Sequence, residues 1–362
     1  MKLLLCAASA RAMAESATRA DYDFVTLDFF GDIDTKEICE NYSLREFGDA
    51  YSTENLYRRS AQVDFTHAVY GAGFENYPEF VEGFEKRATV AGNDSKTLRE
   101  VRSWENFFSV LEKEEIKFPR TEIVRAEDVH NLNGRLLKPV KTGGGHRIND
   151  LSCAHSGTNE EVLLQEVISG TPISTCIVGD GKRCRFLGAT EQITFGRYRY
   201  CGNIAPLKTT KAMEDISIRI GEMFGLVGVN GVDFMSTAEG LYVLEVNPRL
   251  TGAMEVLEKA YSLNLFDIHV KACSGVLDFK PVKSRRYYYK KILYATEDQS
   301  CNLGRLERKE RPIFIKDVPA EEYIEKMSPI CTIIGEGDTL ESCMEDLIRK
   351  EKEYADLRQK NI

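Results

Sequence analysis

Apolar residues fall along the chain in two alternating periods. Lys2 to Ala7 is a continuous apolar run of strand length, Ser9 to Ala20 is an Ala-rich helical stretch, and Tyr22 to Leu27 is a second strand ending in an acidic turn with Asp28, Asp32 and Asp34. Val63 to Val69 reads as a third strand, followed by the loop Gly71 to Tyr77, a helix, and a short strand at Ala88 to Ala91. Strand, helix, strand in repetition predicts an α/β fold with a doubly wound parallel sheet and the 71–77 loop at its carboxyl edge. From Asn93 to Lys113 the spacing of Leu98, Val101, Trp104, Phe107, Phe108 and Leu111 predicts one amphipathic helix. Lys211 to Phe224 is another, burying Ile216, Ile220 and Phe224, and Leu263 to Ala272 a third. Glycines at 179 and 181 around Asp180 mark a hairpin within 175–190. A strand begins at Pro329, and Asp338 to Glu341 reads as a capping box opening a terminal helix with Leu340, Met344, Leu347 and Ile348 inward.

Between Val229 and Val246 the period becomes two, with a polar turn at Ser236 to Gly240, so a hairpin is expected. Carboxylates interrupt it. Asp233 stands among Val232, Phe234 and Met235, and Glu245 between Leu244 and Val246, with Asn247 on the same face two residues on. Hairpin pairing can bring Asp233 opposite them. Two acids on adjoining strands repel and are costly to bury, so they call for a cation or a solvated cleft. Mg²⁺ suits such a set, since it takes one or two carboxylates, an amide oxygen and substrate phosphates. Arg249 follows the Asn247-Pro248 turn and is a bidentate donor for phosphate or carboxylate oxygens. The competing reading is a surface hairpin with exposed acids.

A second candidate lies at Arg135 to Ile148, RLLKPVKTGGGHRI, where a strand carrying Lys138 runs into Gly143, Gly144 and Gly145. Glycines let several backbone N–H groups approach one anion while a lysine adds charge. The spacing is not that of a Walker loop, and the first turn, ASARA, is not the glycine cradle of a dinucleotide site. TFGRYRYCGN, with Arg197 and Arg199 alternating with Tyr198 and Tyr200, reads as a substrate-facing loop or an exposed strand.

Net charge, −9 over 362 residues, argues against nucleic acid or an acidic membrane as the main partner. No apolar run approaches the ~20 residues that span a bilayer. The N-terminal apolar stretch stops at Arg11, short of the roughly 7–15 residues of a signal h-region. Ten cysteines without metal-site spacing read as reduced, buried thiols of a cytoplasmic protein, Cys201 and Cys153 among them. His269 has no acid or nucleophile beside it in sequence and reads as a packing residue.

The series Asp233, Glu245, Asn247, Pro248, Arg249, with Lys138 and its glycines about a hundred residues upstream, resembles the ATP-grasp superfamily, which includes biotin carboxylase and carbamoyl-phosphate synthetase. The resemblance implies a Rossmann-like domain at 1–92, an ATP-grasp domain of two α+β lobes at 93–282, with about 120–200 as a mobile lobe, and C-terminal strands and helix at 283–362. It implies ATP and Mg²⁺ (or Mn²⁺) as cofactors, with Asp233, Glu245 and Asn247 holding metal and Arg249 steadying an acyl-phosphate. Lys138 and Gly143 to Gly145 would cover the triphosphate. Gln165 and Glu166 stand at the adenine hinge, with the backbone of Val167 and Ile168 reading the base, and Lys96 or Arg102 would supply a further cation. The reaction implied is activation of a small-molecule carboxylate for attack by an amine, releasing ADP and phosphate; cofactor biosynthesis is its suggested setting, and a homodimer is compatible with it. Two other functions stay open: a bicarbonate-activating carboxylase, whose basic glutamate is replaced here by Ala253 with Glu255 nearby, and a nucleotide-binding regulator without turnover.

Overall fold

The computed structural model describes residues 1–145, 147–148, 160–282, 285–320 and 323–360; Cys153 lies outside them. Strands β1 (Lys2–Cys6), β2 (Asp23–Asp28), β3 (Asn41–Ser43), β4 (His67–Tyr70) and β5 (Thr89–Val90) form a parallel sheet in the order β3-β2-β1-β4-β5. The apolar run of β1 is explained by cover on both faces. Leu3 and Leu5 pack with Ala10, Met13 and Ala14, whereas Leu4 and Cys6 point into a separate core with Leu27, Tyr70 and Phe84. The loops at the carboxyl ends of β1, β2 and β4 therefore gather along one edge.

A three-stranded antiparallel sheet follows, β6 (Thr121–Arg125), β7 (Leu136–Pro139) and β8 (Glu161–Gln165), in the order β6-β8-β7. Next come β9 (Thr171–Asp180), β10 (Cys184–Phe195), β11 (Arg199–Ala205), β12 (Val227–Thr237), β13 (Gly240–Asn247) and β14 (Tyr287–Tyr294), then β15 (Gln299–Ser300), β16 (Ile315–Lys316), β17 (Tyr323–Ile324) and β18 (Pro329–Gly337). β15 and β17 pair by themselves; the others form one eight-stranded antiparallel sheet ordered β13-β12-β9-β10-β11-β14-β18-β16. The stretch expected as a mobile lobe, about 120–200, thus divides between two sheets, and β14, β16 and β18, after 283, extend the sheet that carries the acid hairpin.

Three helical expectations need correction. The single helix over 93–113 is two, Ser95–Arg102 and Trp104–Lys113, with Ser103 extended between them. Apolar spacing continues through the break, so periodicity hides it. The break turns Trp104 beneath β7, where its indole N–H donates to the Val140 carbonyl at 3.3 Å. The helix expected at 263–272 spans Leu265–Cys273 and is preceded by another, Met254–Tyr261. The terminal helix spans Leu340–Lys360, but its box is one residue later than expected: Thr339 Oγ1 accepts from Ser342 N–H and Thr339 N–H donates to Ser342 Oγ, both at 3.0 Å. That helix turns inward on Cys343, Leu347 and Tyr354, leaving Leu340, Met344 and Ile348 exposed, because the terminal strand covers only a narrow stripe. Among the described residues, no helix is long and apolar enough to cross a membrane.

Candidate active site

The hairpin of β12 and β13 is built as its period requires. Asp233 pairs in register with Glu245 and Gly231 with Asn247, and the register shifts just after Asp233. A bulge at that point re-aims a side chain. Asp233 is 8% exposed and accepts from Asn247 Nδ2 at 3.0 Å, while its other carboxylate oxygen has no partner among the described residues. Burial first, and then the Glu245 charge, push the Asp233 carboxyl up to about 6. An orphaned buried oxygen beside a second acid and an amide oxygen fits a dication. Among the described residues no three or more His, Cys, Asp or Glu form a metal cage. Such a two-acid, one-amide set leaves coordination positions for a ligand's oxygens, as Mg²⁺ usually requires.

Arg249 is fixed by a residue that the sequence did not single out. Its Nε donates to Glu75 Oε1 at 2.7 Å and its Nη2 to Asn247 Oδ1 at 3.1 Å. Glu75 is fully enclosed in the loop after β4; burial raises its carboxyl, but Arg249 and Arg102 outweigh this and hold it below the usual range. The parallel-sheet domain thereby orients an arginine of the other sheet. Asn93 makes a second tie, accepting from Val227 N–H at 2.8 Å and donating to Asn230 Oδ1 at 2.7 Å and to the Pro248 carbonyl at 3.0 Å. A short loop of acidic and amide residues carried no periodic signal that would have marked Glu75.

A cavity of about 880 Å³ runs past these groups. Lys138, Gly143, Gly144, Gly145, Gln165, Glu166, Val167 and Ile168 all line it, together with Asp233, Glu245, Asn247 and Arg249. The site residues expected from the sequence, apart from the further cation at Lys96 or Arg102, are thus on one wall or another of a single space. Burial lowers the Lys138 ammonium while Glu245 opposes it, and its Nζ lies 5.9 Å from the Trp104 ring centre. Gly144 and Gly145 have φ of 63° and 72°, and Tyr200 N–H donates to the Gly144 carbonyl at 2.9 Å. A Cβ at Gly145 would sit 1.9 Å from the Tyr198 carbonyl, so this turn needs glycine.

Two hinge side chains are engaged within the protein. Gln165 Nε2 donates to Thr121 Oγ1 at 2.9 Å, and Glu166 Oε2 accepts from Arg120 N–H at 3.1 Å. Lys96 is exposed, 3.9 Å from Glu100, and does not line the cavity. Arg102 reaches Asn76 Oδ1 at 3.0 Å and bears on Lys138 and Glu75 only through its charge. The 196–200 turn faces the cavity with Arg197, Tyr198 and Tyr200, whereas Arg199 donates to the Met327 carbonyl. Cys201 is a strand residue whose thiol donates to the Ile292 carbonyl at 3.2 Å, and burial raises its pKa. His269 is structural: Nδ1 accepts from Val229 N–H at 2.9 Å and Nε2 faces the Ala91 carbonyl at 3.0 Å.

Residues 104–253 match the ATP-grasp domain family. That stretch is an ATP-grasp domain. An uncharacterized protein of Methanocaldococcus jannaschii is 27% identical over 281 residues, which cover 72% of this chain and 70% of that protein. Among solved structures, N5-carboxyaminoimidazole synthetase from Staphylococcus aureus, complexed with ADP, superposes with a TM-score of 0.72 at 15% identity, covering 96% of both chains. Biotin carboxylase from Campylobacter jejuni, in an ATP-type complex, gives a TM-score of 0.70 at 13% identity over 96% of this chain and 91% of that one. The chain shares their fold across nearly its whole length.

Proposed function

We propose that the protein is an ATP- and Mg²⁺-dependent, ADP-forming ligase that joins a small-molecule carboxylate to an amine. The observation that carries this reading is the in-register pair Asp233 and Glu245, with Asn247 and Arg249, facing Lys138 and the glycine turn across one cavity. The similar structures point the same way, since the synthetase of Staphylococcus aureus was seen with ADP. A dication held by Asp233, Glu245 and Asn247 would supply charge against the phosphates. Lys138 and the backbone N–H groups of Gly143 to Gly145 would meet the charge that grows on the transferring phosphoryl group. The adenine would lie along the backbone of Val167 and Ile168. A substrate carboxylate oxygen attacks the γ-phosphorus and ADP leaves; the amine nitrogen then adds to the acyl carbon and phosphate departs. Arg249, aimed by Glu75, is placed to hold the acyl-phosphate oxygens.

A bicarbonate-activating reaction fits these residues less well, because it needs a basic carboxylate beyond the arginine. Ala253 has none. Glu255 is clamped by Arg11 and Lys290, which outweigh burial and hold its carboxyl far below the usual range, so it cannot take a proton at neutral pH. The test is ADP release in a grid of carboxylates against amines. Turnover that needs one of each supports the ligase; turnover with bicarbonate alone, or ATP binding without any turnover, overturns it. The nine described cysteines are free thiols, which suits the reducing cytoplasm proposed as its location.

A further inference from the structure

The end of the cavity remote from the glycine turn is acidic, and its chemistry is not used in the steps above. It lies at the carboxyl edge of the parallel sheet, where ligands bind in doubly wound folds. Phe30, Asp32, Arg11 and Asp317 line it. Asp32 stands at the N-cap of the short helix Ile33–Lys36, yet its side chain makes no capping hydrogen bond. An aspartate there ordinarily accepts from the first turn. The residue instead lines the cavity, 3% exposed, with Oδ2 lacking any hydrogen-bond partner among the described residues.

The surrounding acids are committed elsewhere. Asp34 accepts from the N–H groups of Asp317 at 2.9 Å and Val318 at 3.0 Å. Asp28 accepts from Gly31 N–H at 2.9 Å and Ala10 N–H at 3.3 Å. Asp317 takes Arg11 Nε at 2.8 Å, and Arg11 is shared with Glu255, while Lys290 holds Glu255 at 2.6 Å. None of these cations pairs with Asp32. Arg45, stacked over Phe29 and Phe30, acts on Asp32 through space. Burial and the charges of Asp317, Asp28 and Asp34 push the Asp32 carboxyl well up, the mark of a buried acid without a counter-ion.

We propose that Asp32 is the anchor of a cationic acceptor: the substrate amine carries an ammonium group that pairs with the free oxygen of Asp32 at this end of the cavity. Its neighbours Asp28, Asp34 and Asp317 are each engaged, leaving a single acid oxygen here without a partner among the described residues, so the cation that fits is an organic ammonium with N–H donors. This deepens the ligase reading and rests on it for the word acceptor, although the ammonium site itself is independent of nucleotide chemistry.

The experiment is saturation-transfer NMR with calorimetry on the full chain, using 1,4-diaminobutane as probe and 1,4-butanediol as its neutral match, in the presence of ADP. The diamine is expected to bind at least tenfold more tightly than the diol, and Asp32→Asn to abolish that preference while ADP still binds. Asp32→Ser serves as a second variant, folding being checked by circular dichroism. Equal affinity for diamine and diol, or a preference that survives both substitutions, overturns the proposal. Failure of ADP to bind the wild-type chain would instead refute the nucleotide reading, and the diamine preference would be judged by itself.

Discussion

Glu75 and Arg249 meet in a largely buried contact, Oε1 to Nε at 2.7 Å, with the guanidinium extended to Asn247. Removing one partner from a buried pair leaves the other uncompensated and costs roughly 3–5 kcal/mol. Glu75→Gln is therefore expected to lower stability by about 3 kcal/mol in chemical denaturation, a value near the foot of that range because Arg249 keeps Asn247 and the cavity. The same variant should lose turnover more than ATP affinity, since it frees the residue proposed to meet the acyl-phosphate. Unchanged turnover would remove Glu75 as a positioning residue. At this scale the sequence was legible where a polar group broke a period: Asp233 and Glu245 stood out because core strands should be apolar there. Glu75 and Asp32 were hidden because loops have no period to break, and both are identified only by what surrounds them in space.

His269 links three elements, accepting from Val229 at the start of β12 and facing the Ala91 carbonyl after β5 from the helix Leu265–Cys273. Burial lowers its pKa to about 4, against about 6.5 for an unfolded histidine. Between those values the unfolded chain binds more protons, so this contribution is complete above about pH 6.5 and is lost as pH falls toward 4. His269→Ala should cost roughly 1–3 kcal/mol by orphaning its partners, and should flatten the pH dependence of stability in that window. An unchanged slope in urea titrations at pH 5 and pH 7 would contradict the assignment. Elements with a strong period, such as β1, Lys211–Met223 and the β12-β13 hairpin, were legible from the sequence to within a residue or two. The break at Ser103 and the face of the terminal helix were not, because apolar spacing records which residues are greasy and not which neighbour is present to cover them.

Across the whole molecule, the site is assembled by tying the parallel sheet to the eight-stranded one. Glu75, Asn93 and Arg11 reach from the first to Arg249, Asn230 and Glu255 of the second. The three-stranded sheet brings Lys138 and the glycine turn over the same cavity, and the turn is fastened to the Tyr198 to Tyr200 segment by the bond from Tyr200 N–H to the Gly144 carbonyl. One consequence is that the hairpin proposed to hold metal and the turn proposed to cover phosphate must act together. The central claim is that Asp233, Glu245 and Asn247 seat a dication against a nucleotide triphosphate. Its most direct test is calorimetric titration of ATP into the wild-type chain and Glu245→Gln, each with and without Mg²⁺. The account predicts that Mg²⁺ tightens ATP binding at least tenfold in the wild type and that a folded Glu245→Gln chain loses this gain. An equal Mg²⁺ effect in both chains would contradict it.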